Sequence, residues 1–218
     1  MRPNIFFIGI AVLIFLLKCS FAKDPDKDQS LDDKVKSFLE SHKNQWHDMN
    51  VPASDGQELY NLIIKNNYKK ALEIGTSTGR SAIWIAWALS KTGGKLITIE
   101  INEGRYKQAL ENFKEAGLLE YVDARLADAH ELVPKLEGPF DFIFVDADKD
   151  WYKKYLELLL PKLEEGGCFT AHNVLNTYMR GIPEFVEYIN NHPDLETSII
   201  HSSSSGISVS YKRVKNDK

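Results

Sequence analysis

Five times along this chain a short apolar, β-branched run is followed by a helix-like segment, and that alternation leaves few possible folds. The strand-like runs are 71–74, 95–100, 122–126, 140–145 and 168–171, and the helix-like segments 81–90, 106–116, 129–136, 151–160 and 182–191. Strands separated by helices pair in parallel, with helices covering both faces. The end breaks the rhythm. Segments 197–200 and 207–211 are strand-like with only the Ser202–Gly206 turn between them, so they must be antiparallel. The fold expected is one α/β domain built on an open, mostly parallel seven-stranded sheet with a C-terminal antiparallel hairpin. Two helices precede it. Ser30 with Asp33 reads as a capping box opening a helix through Leu31, Val35, Phe38 and Leu39, and a second helix runs from about 56 to 64.

The first residues read as something other than fold. Arg2 is followed by an apolar stretch from Ile5 to Leu17, then Ser20-Phe21-Ala22 and charged Lys23-Asp24-Pro25-Asp26. This is the layout of a secretory signal peptide over residues 1–22, and the apolar run is shorter than the ~20 residues that span a bilayer. The expectation is export, periplasmic or secreted, after cleavage. The alternative is a retained segment that anchors the chain to a membrane. Residues 23–55 then form an N-terminal helical segment with a loop, and 56–214 the main domain. With 27 basic and 31 acidic residues the net charge is −4, which argues against nucleic acid as a partner. Removal of Cys19 with the leader leaves Cys168, so no intrachain disulfide can form; Cys168 is expected to be a buried strand residue.

Ligands of open α/β sheets bind beyond the carboxyl ends of the strands. Here those ends are Glu73 to Gly79, Glu100, Asp128, Asp146 to Asp150 and His172-Asn173. The segment Glu73-Ile74-Gly75-Thr76-Ser77-Thr78-Gly79-Arg80-Ser81 is a glycine turn running into a helix, suited to close backbone approach and to a carboxylate on free N–H groups. Its G-x-x-x-G spacing is not the dinucleotide G-x-G-x-x-G, and alone it fits a structural turn equally well. Glu100 closes the second strand, where a carboxylate can accept both hydroxyls of a ribose. Together the two features point to a nucleoside-containing cofactor.

Several segments carry a resemblance: Met49-Asn50-Val51, Gly56-Gln57, Ala71-Leu72-Glu73-Ile74-Gly75, the run Leu96 to Asn102, and Phe140 to Asp150 with its Asp146-Ala147-Asp148-Lys149-Asp150 core and Tyr152 after it. From about Trp46 to Tyr211 the chain resembles the catechol and caffeoyl-coenzyme A O-methyltransferases, enzymes of Rossmann-like class I methyltransferase fold that use S-adenosylmethionine (SAM). The resemblance implies a cofactor site made of Val51, Glu73, Gly75, Ser77, Gly79, Ser81, Glu100, Ile101, Ala129, His130 and Asp146. In it Val51, Ser77 and Ser81 hold the amino-acid end, Glu100 the ribose, and Ala129 and His130 the adenine. Asp146 lies beside the methionine amine and a divalent metal. Lys149 matches the family's general base, although such a lysine on its own also reads as a surface residue paired with Asp148 or Asp150. Homodimers through the N-terminal helices are implied, and the Leu31–Leu39 stripe serves either that or packing within the chain.

Two departures matter. Where the family has an Asp-Asn pair after the fifth strand, this chain has His172-Asn173. Imidazole weakens a Mg²⁺ site and suits Mn²⁺ or Zn²⁺ better. Three readings stay open: a softer metal on Asp146, His172 and Asn173; no metal, with His172 itself an acid or base; or His172 as packing. On the acceptor side the Ser202–Ile207 stretch contains no acid to grip a second hydroxyl. Trp46, Trp151 and Tyr178 are candidate aromatic walls. The function expected is methyl transfer from SAM to a hydroxyl of a small substrate, aromatic molecules included. A nitrogen acceptor, a non-catalytic SAM-binding relative and a nicotinamide enzyme are the alternatives.

Overall fold

The computed structural model describes residues 25–46 and 49–215. The signal peptide read at 1–22 lies outside these residues. One sheet carries seven strands in the order β3-β2-β1-β4-β5-β7-β6. Strands β1 (Lys70–Ile74), β2 (Lys95–Glu100), β3 (Val122–Leu126), β4 (Phe140–Val145) and β5 (Leu163–His172) run parallel. β7 (Ile207–Lys212) is antiparallel to both β5 and β6 (Leu195–Ile200). The hairpin is therefore present, but its second strand inserts between β5 and its first. The strand order reverses between β1 and β4, which opens a crevice at their carboxyl ends.

Helices α1 (Pro25–Ser41), α2 (Ala53–Asn66), α3 (Arg80–Thr92) and α4 (Glu103–Glu115) share one hydrophobic core with one face of the sheet. Helices α5 (Ala129–Leu132), α6 (Tyr152–Leu159) and α7 (Ile182–Asn191) cover the other. β4 shows why its sequence is continuously apolar: Phe142 and Phe144 enter the first core, Ile143 and Val145 the second. α3 is apolar all round because Ser81 to Ser90 are all buried. Its Trp84 and Trp87 meet Tyr60 of α2, and Trp87 Nε1 donates to Asp32 of α1 at 2.6 Å.

α1 begins at Pro25, so Ser30 lies inside the helix and does not cap it. A proline is well placed in a first turn, where its missing N–H has no intrahelical partner to lose. Val35 and Phe38 are buried in the core that contains α3, so the apolar stripe of α1 packs within the chain. Cys168 is buried in β5, as expected. Among the described residues no helix is long and apolar enough to cross a membrane.

Candidate active site

A cleft of about 860 Å³ opens at the carboxyl ends of the strands. Its first arm is the glycine turn between β1 and α3. Gly75 and Gly79 take left-handed φ values of 99° and 98°, and Ser77 joins them at 49°. The turn is hooked to β2 by Gly75 N–H and Thr76 N–H, which donate to the Ile99 carbonyl at 3.0 and 3.2 Å. It also lies hard against the end of β4: a Cβ on Gly75 would sit 2.9 Å from the Asp146 carbonyl oxygen. Glu100 accepts from Ser77 N–H at 2.7 Å and from Asn102 N–H at 2.9 Å. Each of its oxygens keeps further acceptor capacity, and the residue lines the cleft.

Ile101, Ala129 and His130 form the far end of this arm. Asp128 caps α5 through the His130 N–H, and the His130 ring stacks on Trp151 with centroids 3.6 Å apart. Of the cofactor residues read from the resemblance, Gly75, Ser77, Glu100, Ile101, Ala129, His130 and Asp146 line the cleft. Val51, Glu73, Gly79 and Ser81 stand behind it. Val51 is buried, and its carbonyl accepts from Arg80 Nη1 at 3.0 Å. Its neighbour Asn50 donates from Nδ2 to Thr78 Oγ1 at 2.8 Å, tying the 49–52 loop over the turn. Glu73 is wholly buried and accepts from Thr98 Oγ1. Burial pushes its carboxyl up to about 7; Ser81 and Thr98 resist the shift, and the nearby Asp146 and Glu100 charges add to it.

The second arm is a buried ion cluster. Asp146, just past β4, receives Lys149 Nζ on Oδ1 at 2.6 Å and His172 Nδ1 on Oδ2 at 3.2 Å. His172, the last residue of β5, places its other nitrogen, Nε2, 2.7 Å from Asp55 Oδ2. Asp55 comes from the first turn of α2, has no exposed surface, and accepts from Ser202 Oγ and Ser203 Oγ at 2.6 Å each. A carboxylate only accepts hydrogen bonds, so a ring with a carboxylate on each nitrogen carries both protons. Burial works against that charge, but the hydrogen bonds and charges of Asp146 and Asp55 outweigh it and hold His172 at about 9. The same contacts keep both carboxyls below the usual carboxylate range, despite burial that would raise them.

The donor set named for a metal does not fit one. Asp146 has both oxygens engaged by cations, and His172 has both nitrogens engaged by carboxylates. Among the described residues, no group of three or more His, Cys, Asp or Glu is arranged to hold a metal ion. Asn173 lines the cleft in a left-handed conformation with φ 63°.

The aromatic walls fare differently. Trp151 backs His130; Trp46 packs against the first core with Arg80 over its ring, and Tyr178 is exposed. Sequence reasoning missed Asp55. Its partners His172, Ser202 and Ser203 lie 117 and more residues away, and nothing local marks a lone Asp at a helix start. The Ser202–Ile207 stretch holds no acid; its Ser202 and Ser203 hydroxyls donate to buried Asp55 of α2.

The O-methyltransferase family model matches residues 26–181. The chain belongs to the O-methyltransferase family. Among similar members, caffeoyl-CoA O-methyltransferase 1 of Eucalyptus globulus is 36% identical over 138 residues, covering 61% of this chain and 56% of that protein. A catechol O-methyltransferase of Niastella koreensis is 37% identical over 131 residues, covering 58% and 59%. The match thus spans little more than half the length of these relatives. Among solved structures, the O-methyltransferase TomG of Streptomyces achromogenes, in complex with SAM, superposes with a TM-score of 0.73 at 26% identity over 84% of this chain and 91% of that one. An O-methyltransferase from Bacillus cereus in complex with S-adenosylhomocysteine (SAH) gives 0.70 at 25% identity, over 89% and 94%. These O-methyltransferases share the fold that positions the cleft.

Proposed function

We propose that this chain transfers a methyl group from SAM to a hydroxyl oxygen of a small substrate, phenols being the first class to test. One observation carries the reading: the glycine turn with Glu100 and the Lys149–Asp146 pair open into one cleft and meet where Gly75 lies against Asp146. The residues fit the cofactor. A left-handed turn lets a ligand approach backbone, and Glu100 offers two acceptors to a ribose diol. The His130 end offers a flat surface for a base. When bound, SAM supplies an activated methyl group on a sulfonium.

The chain's own work is alignment and proton removal, which together set the rate of such a displacement. Asp146 stands at the junction of the two arms. Lys149 is partly exposed at the cleft and held by Asp146 as an ammonium at rest, so it can meet an incoming hydroxyl and, once it has released a proton to solvent, take the proton of that hydroxyl. The small hydroxylated acceptor enters between Lys149 and the loop at Ser205. Calorimetric titration with SAH, followed by methyl transfer from labelled SAM to a panel of phenols, tests the reading. No heat with SAH, together with identical behaviour of Glu100→Ala, would remove its basis. The localisation read from residues 1–22, export or membrane anchoring, is tested by fractionating cells that express the full chain.

A further inference from the structure

The misfit between this site and a divalent metal has a definite chemical form. A hard cation is held where carboxylate charge is left uncompensated by other cations. Here Asp146 uses Oδ1 on Lys149 and Oδ2 on His172, and His172 uses its second nitrogen on Asp55. Two carboxylates, an imidazolium and an ammonium cancel in charge. An entering divalent ion would have to expel a cation already hydrogen-bonded in place, and the remaining pair would lose a buried partner.

We propose that the ring of His172, clamped between Asp55 and Asp146, is the resident cation of this site, and that the enzyme works without a divalent metal. The inference rests on the methyltransferase reading above. The clamp is built to stay. Asp55 has no exposed surface and is held by Ser202 and Ser203, so turning the ring towards the cleft would strand a buried charge. Both N–H groups of the ring are committed to carboxylates, so His172 is a positioning residue: it fixes Asp146, and Asp146 fixes Lys149. With no Lewis acid on the acceptor oxygen, hydroxyls that are acidic in their own right are favoured. Phenols therefore outrank aliphatic alcohols as substrates.

The probe is Mn²⁺, followed by loss of its free-ion electron paramagnetic resonance signal, on the full chain saturated with SAH. Wild type is expected to leave the signal unchanged up to about 1 mM metal. His172→Asp gives the cluster two excess negative charges, and is expected to take up one Mn²⁺ at least about tenfold more tightly than wild type. A chelator should change wild-type SAH affinity and methyl transfer by less than about twofold. Micromolar Mn²⁺ uptake by wild type, or loss of transfer on chelation, overturns the proposal. Nitrogen NMR of histidine-labelled wild type keeps it testable if His172→Asp does not fold: both ring nitrogens of His172 protonated near neutral pH supports the clamp, and one bare nitrogen refutes it. Failure to bind SAH would sink the methyltransferase reading instead, leaving the metal and NMR results to judge the ring.

Discussion

Replacing Asp55 with Asn leaves the shape of the side chain and removes its charge, and the cost can be worked out from its neighbours. Asp55 is fully buried and accepts three hydrogen bonds of 2.6 to 2.7 Å, from His172, Ser202 and Ser203. Two unit charges about 4 Å apart interact by roughly 4 kcal/mol at the effective dielectric of a protein. Removing one partner of a buried pair costs about 3–5 kcal/mol, because the other charge is left without compensation. Asn also turns an NH₂ group towards donors. Asp55→Asn is therefore expected to lose about 3–5 kcal/mol in urea unfolding at pH near 6.5.

The pH profile is the sharper readout. His172 is raised from 6.5 to about 9, so its contribution is complete below pH 6.5 and disappears as pH rises through about 9. Wild type should lose roughly 3 kcal/mol across that window. Asp55 and Asp146, both lowered, stay ionised throughout it; Glu73, at about 7, titrates within its lower part, so the His172 loss is read in a Glu73→Gln background. Asp55→Asn removes one of the two carboxylates that raise His172, so its own loss over the window should be smaller. A cost below about 1 kcal/mol, or a flat wild-type profile between pH 6.5 and 9, would refute the charged-clamp argument.

Lys149→Met should lower kcat by about 10²–10⁴-fold while leaving SAH affinity within about twofold, as read by labelled-methyl transfer and calorimetry. Glu100→Gln should weaken SAH binding by about 1.5–3 kcal/mol, the worth of hydrogen bonds to a charged acceptor. A thermal melt separates that effect from loosening of the turn, since Glu100 also holds Ser77 N–H. Glu73→Gln should flatten stability between pH 4.5 and 7. Glu73 is raised to about 7, so in wild type its contribution is full below 4.5 and falls by roughly 3 kcal/mol as pH rises through 7.

The sheet was legible because its signal is local and repeated. The β4 run 140–145, for example, reads as buried on both faces from six consecutive residues. The hairpin was legible as antiparallel, but not which of its strands would meet β5. That choice depends on how β7 packs against a distant strand, and period-two alternation is silent on it. The first arm of the cleft was readable because Glu73 to Ser81 and Glu100 lie at adjoining strand ends. The start of α1 was misplaced because Ser30 with Asp33 satisfies a capping pattern that the chain does not use. His172 could be seen to break a pattern, yet its meaning depends on Asp55, and no local rule pairs residues so far apart.

The clamp joins α2, near the front of the domain, to the serine loop that leads into its last strand. Synthesis from the N-terminus therefore finishes the first arm of the cleft well before it delivers Ser202 and Ser203. A chain halted or clipped just ahead of the loop would carry the whole first arm and still leave Asp55 without its two hydroxyl donors. Satisfaction of the buried Asp55 charge is in this way tied to docking of β7, a long-range contact of the kind that forms slowly.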